Sequence, residues 1–143
     1  MFFIINTAEK NKTTLIVFNF NNHSTFLIFK HSFKKNYHQA EKLLLTIDKL
    51  FAKNKCKMKN LQGIATIIGP GPFTALRIGV IIANTMAYIL KIPAVGIKLD
   101  EFKNTKELIE LSYKKLIKVK PNEILLPFYD KEPNITFKKN TQI

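Results

Sequence analysis

The sequence predicts an α/β domain built on a mixed five-stranded sheet with crossover helices. Three observations point there: three β-branched and aromatic runs stand close together at the start, two helical runs each return to a short buried strand, and 143 residues at 46% hydrophobic content suit one ordinary core. Three strands in a meander followed by helix, strand, helix, strand is the element order of such a sheet.

The runs FFIIN (2–6), TTLIVFNF (13–20) and STFLIFK (24–30) are separated by EKNK and NNH, both good turn chemistry, and read as an antiparallel meander. From 36 to about 54 the period changes. Tyr37, Ala40, Leu44, Ile47 and Phe51, flanked by Leu43 and Leu50, form the i, i+3, i+4, i+7 stripe of an amphipathic helix. Lysine-rich KNKCKMKN ends it, and LQGIATII (61–68) reads as a buried strand. A second helix follows over 73–91, then a short strand PAVGI (93–97). Beyond Leu99 a third helix is predicted, with Asn104 and Glu107 at capping-box spacing and a thin stripe of Leu108, Leu111, Leu116 and Val119. The segment from Pro121 has three prolines and no clear period, and reads as an extended tail laid along something. The chain therefore divides into a lobe over 1–99 and a helix plus tail over 100–143.

Charge and composition narrow the function classes. The net charge of +13 suggests nucleic acid, but nearly all of it is lysine, and Asn, Ile and Phe are also abundant, as codons of an AT-rich genome would supply. Arg77 is the only arginine, so lysine did not serve there. Cys56 is the only cysteine, which excludes an intrachain disulfide and fits a reducing cytoplasm. The first residues lack a basic n-region, and the longest uncharged run, 78–90, falls short of the roughly 20 apolar residues of a bilayer span. A soluble, cytoplasmic chain without a membrane role is expected.

All five glycines lie between 63 and 96, and the densest stretch is GPGPFTALRIG, from Gly69 to Gly79. Pro70 and Pro72 fix φ, Gly69 and Gly71 permit close backbone approach, and Pro72 suits a helix start. A strand, a glycine-rich turn and a helix N-terminus can cradle phosphate. Neither G-x-x-x-x-G-K-[ST] nor G-x-G-x-x-G is present, so a tight structural turn is the favoured reading. The following helix is apolar nearly all round and so should be buried on every side. Ala75, Gly79, Ala83 and Ala87 recur every four residues as a flat ridge for close helix approach. The first helix can cover one flank only; another protein explains the rest.

GPGPFTALRIG resembles the GPGSFTGLRIG signature of the TsaB (YeaZ) family, departing at Pro72 and Ala75. HQAEKLLLTIDKLF resembles the family's H-S-E-x-L-L-P helix, AYILKIPAVGIKLDEF its A-x-x-L-x-I-P-x-V-G-V-S-S-L segment, and LLPFYDKEPNIT its closing P-x-Y-x-R. The resemblance implies an actin-like (ASKHA, ribonuclease H-like) N-terminal lobe. It also implies a non-catalytic subunit without a cofactor that pairs, through its two N-lobe helices, with the TsaD-type catalytic subunit. With the TsaE-type ATPase, that pair supports threonylcarbamoylation of the tRNA adenosine beside the anticodon. Residues carried over as partner-binding or structural are Glu41, Leu44, Ile47, Gly69, Pro70, Gly71, Phe73, Thr74, Arg77, Gly79, Ala83 and Met86, with Ile82 beside them. An unpartnered apolar face also predicts a homodimer of the free chain. The aspartate common at the end of the family's first strand is Asn6 here, and the usual second lobe has no counterpart after Leu99, as in a minimal member.

Catalytic candidates are weak. His23, His31 and His38 make no H-x-x-x-H, so the metal motif of the catalytic relatives is missing. Cys56 is ringed by lysines but has no histidine near it in sequence, and Asp100 and Glu101 read as a turn. A small peptidase-like hydrolase and a basic RNA-binding module remain as alternatives. Arg77, unfavourably placed in the first turns of its helix, needs an anionic partner, and Glu41 is the internal candidate for a two-point ion pair.

Overall fold

The computed structural model describes residues 1–35 and 39–129. Eight main elements follow in order: β1 (Phe2–Asn6), β2 (Lys12–Asn21), β3 (Ser24–Lys34), α1 (Gln39–Lys53), β4 (Gly63–Gly69), α2 (Phe73–Leu90), β5 (Ala94–Lys98) and α3 (Thr105–Leu116). Short 3₁₀ turns lie at Met58–Asn60 and Leu99–Glu101. The sheet order is β3-β2-β1-β4-β5: β1, β2 and β3 pair antiparallel, whereas β1–β4 and β4–β5 are parallel. This is the mixed five-stranded α/β arrangement expected from the sequence.

Strand alternation divides the core in two. Phe3, Ile5, Leu15 and Val17 point to one face, where they meet Leu43, Ile47 and Phe51 of α1 and Ile82, Ala83 and Ala87 of α2. Phe2, Ile4, Ile16 and Phe18 point to the other, against Leu108, Ile109 and Leu116 of α3. Each fully buried Phe, Ile or Leu stabilises the fold by about 1.5–3 kcal/mol. Helix α3 therefore covers the second face, with the Asn104 side chain accepting the Glu107 N–H at 2.9 Å as its cap.

Strand β3 runs to Lys34, past the expected end at Lys30, because an edge strand with one neighbour tolerates His31, Ser32 and Lys34 toward solvent. The expected helix start at Tyr37 and His38, and the tail beyond Tyr129, lie outside the described residues. Helix α2 is long and apolar enough by length and composition to cross a membrane, unlike the shorter run counted in the sequence. Its inner side is committed to the sheet through Ala75, Leu76, Gly79, Val80, Ile82, Ala83 and Ala87.

Candidate docking surface

The β4–α2 loop is locked by its neighbours. Thr7, at the end of β1, donates its hydroxyl to the Ala75 carbonyl in the first turn of α2 at 2.7 Å, and a Cβ at Gly79 would come 2.5 Å from that same hydroxyl oxygen. A Cβ at Gly71 would stand 2.5 Å from the Ala8 carbonyl oxygen. Asn6 stays inward and accepts the Ala8 N–H at 3.0 Å, and Lys35 donates to the carbonyls of Thr7 (2.7 Å) and Glu9. Burial pushes the Lys35 ammonium below its ordinary value, with Glu9 acting in the opposite direction. The Ala8 carbonyl thus packs directly against Gly71, in keeping with the structural turn favoured from the sequence over a phosphate cradle. The loop is a structural turn, with a cis peptide bond between Gly69 and Pro70.

The far side of that turn is closed by the tail. Gly69 has φ +133°, and a Cβ there would meet the Phe128 carbonyl oxygen at 2.1 Å. The Phe128 N–H donates to the Ile68 carbonyl at 2.8 Å, and the Lys98 ammonium lies 4.1 Å from the Phe128 ring centroid. Phe73 stacks on Tyr129 at 4.5 Å, and the Arg77 guanidinium sits 5.6 Å from the Phe73 centroid. The extended tail read from the sequence is therefore laid across the loop and α2.

Only half of α2 is covered. The small-residue stripe of Ala75, Gly79, Ala83 and Ala87, expected as a ridge for close helix approach, is buried and faces the chain's own sheet. The opposite side presents Ile81 (59% exposed), Tyr88 (76%) and Ile89 (69%), while α1 beside it presents Leu44 and Leu45. Of the residues carried over from the family resemblance, Glu41, Leu44, Phe73, Thr74 and Arg77 are exposed and Met86 is half-buried. Ile47, Gly79, Ile82 and Ala83 are core, and Gly69, Pro70 and Gly71 shape the turn. Leu45, Ile81, Tyr88 and Ile89 were not singled out. Their signal was the i, i+4, i+8 spacing of Ile81, Thr85 and Ile89 on the face opposite the alanines.

The expected ion pair between Arg77 and Glu41 is not formed. Both side chains are exposed, and the guanidinium instead covers an aromatic ring. His23 occupies the β2–β3 turn at positive φ, His31 stacks on Phe33, and the Cys56 thiol donates to the Asn54 carbonyl. His38 lies outside the described residues. Among the described residues no three His, Cys, Asp or Glu side chains come together. Glu101 accepts from the Lys98 backbone N–H at 2.7 Å and from the Lys115 ammonium at 2.8 Å. Burial pushes its carboxyl up, but these bonds and charges outweigh it and hold the group below its ordinary value.

Comparison with known proteins gives these features a class. The lobe has the fold of YeaZ from Pseudomonas aeruginosa, which aligns over 68% of this chain and 43% of its own with a TM-score of 0.57 at 18% identity. The class shown is therefore that of α/β proteins with the YeaZ fold. A family model described as TsaD, tRNA N6-adenosine threonylcarbamoyltransferase, matches residues 34–102, the segment that holds α1, β4, α2 and β5. The TsaB protein of Buchnera aphidicola subsp. Schizaphis graminum, a tRNA threonylcarbamoyladenosine biosynthesis protein, is 41% identical over 56 residues, 39% of this chain and 27% of its own length. A tRNA N6-adenosine threonylcarbamoyltransferase of Listeria monocytogenes serotype 4b is 38% identical over 60 residues, 42% of this chain and 17% of its own. The chain spans well under a third of the length of either relative. The chain is thus similar to YeaZ in fold and, over parts of its length, to TsaB and the TsaD-type transferases in sequence.

Proposed function

We propose that this chain is a non-catalytic scaffold subunit. It pairs with a TsaD-type transferase, and through that pair it serves threonylcarbamoylation of the tRNA adenosine beside the anticodon. The observation that carries the reading is the apolar outer face of α1 and α2, where Leu44, Leu45, Ile81, Tyr88 and Ile89 stand exposed on helices whose other sides are core. A cluster of this kind marks a protein interface. It lies within residues 34–102, the segment that resembles the transferase. The filled turn at Gly71, and the lack of an H-x-x-x-H motif in the sequence, support a structural rather than a chemical contribution. A TsaE-type ATPase and tRNA would join through the complex, in the cytoplasm.

The test is reconstitution. Purified chain, the TsaD-type transferase, a TsaE-type ATPase, ATP, tRNA and the threonylcarbamoyl donor should yield modified adenosine, and omission of this chain should abolish it. Full activity without the chain would end the reading. Salt-sensitive tRNA binding by the chain alone would favour the RNA-binding alternative, and peptide turnover by the chain alone the hydrolase.

A further inference from the structure

We propose that the docking surface is composite, its second half being the tail at Ile124 and Leu126, held in place by Asn84 of α2. This rests on the scaffold reading above. Asn84 grips the tail backbone at two points: its Nδ2 donates to the Leu125 carbonyl at 3.0 Å, and its Oδ1 accepts the Leu125 N–H at 2.9 Å. The side-chain amide stands in for a neighbouring strand and fixes the tail's register. In an extended segment alternate side chains point opposite ways. Leu125 packs on the core beneath α2, so Ile124 (79% exposed) and Leu126 (74%) turn outward. Asn84, Ala87 and Tyr88 of α2 line one concavity together with Glu123 and Ile124, so the tail's apolar residues continue the band of Tyr88 and Ile89. Downstream, the Phe128 bond to Ile68 and the Phe73–Tyr129 stack hold the strap at two further points, so these apolar side chains are presented in a fixed position.

The occupant is a different chain, not a second copy. The chain carries +13, and exposed Lys91, just after α2, lines a concavity with Tyr88 and Ile89. Two copies would bring like charge together at the rim, whereas a partner with an apolar centre and an acidic rim meets it favourably. Under the scaffold reading that partner is the TsaD-type transferase.

The test measures affinity of that transferase, by calorimetry, for wild type and three variants of the full chain. Ile81→Asp probes the helix face, Ile124→Asp with Leu126→Asp the tail's apolar side chains, and Asn84→Ala the clip. The tail double variant, altered only at exposed positions, should lose about tenfold or more in affinity. Asn84→Ala should lose affinity while speeding hydrogen exchange at the Leu125 amide. If Ile81→Asp weakens binding and both tail variants bind as wild type, the composite surface is wrong and the scaffold reading survives. Absence of binding by wild type overturns both. Self-association tighter than transferase binding, by sedimentation, overturns the choice of occupant.

Discussion

At the residue scale, Arg77 shows what a single side chain's chemistry could and could not reveal. Its uniqueness in a lysine-rich chain pointed to an anionic partner, but the guanidinium lies over the Phe73 ring, itself stacked on Tyr129. Glu41 was favoured because two helices on one face place their N-termini together, yet sequence carries no distance between them. A double-mutant cycle on Arg77→Lys and Glu41→Gln should give coupling within the roughly 0.3–0.5 kcal/mol of independent sites, whereas Arg77→Lys with Phe73→Leu should couple by about 0.5–1 kcal/mol. Glu101 makes a second residue-scale prediction. Its folded carboxyl lies below the ordinary 4.5, so its contribution is present above that value and is lost as pH falls through the folded pKa. Wild type should unfold at higher denaturant than Glu101→Gln at pH 7, and the gap should close as pH drops below 4.5. A gap independent of pH would contradict the assignment to Lys115 and the Lys98 amide.

At the element scale, α2 was legible in extent but not in orientation. Its ends came out within a residue, because Pro72 starts it and the apolar run stops at Lys91. A helix apolar on every side offers no stripe to choose from, so the sequence left open which side faces out; Thr7 packing against Gly79 puts the alanine ridge inside. The strands were recovered to within a few residues by their β-branched content. The tail's course was not, since it depends on Asn84 and Leu125, 41 positions apart. Two substitutions separate the faces of α2. Ala83→Leu, at a fully buried position, should cost about 1–3 kcal/mol by chemical denaturation. Ile81→Asp should change stability by no more than about 0.5 kcal/mol while weakening partner binding. The reverse ordering would mean that the ridge is the free face after all.

For the whole molecule, the arrangement of layers decides which surface is left for a partner. Helix α3 packs on one face of the sheet and α1 with α2 on the other, so the large apolar residues exposed among the described residues are those on the outer sides of α1 and α2 and on the tail, together with Phe26, Leu27 and Ile28 on edge strand β3 and Ile117 after α3. The chain carries a net charge of +13, so formation of a complex with an acidic-rimmed partner should weaken as salt is raised, most steeply in association rate. The most direct measurement is hydrogen–deuterium exchange of the chain alone and bound to the TsaD-type transferase. Slowed exchange in α1, α2 and residues 122–126, with α3 and β3 unchanged, is the predicted result. Protection confined to β3 or α3, or no protection at saturating transferase, would contradict docking through the α1–α2 face.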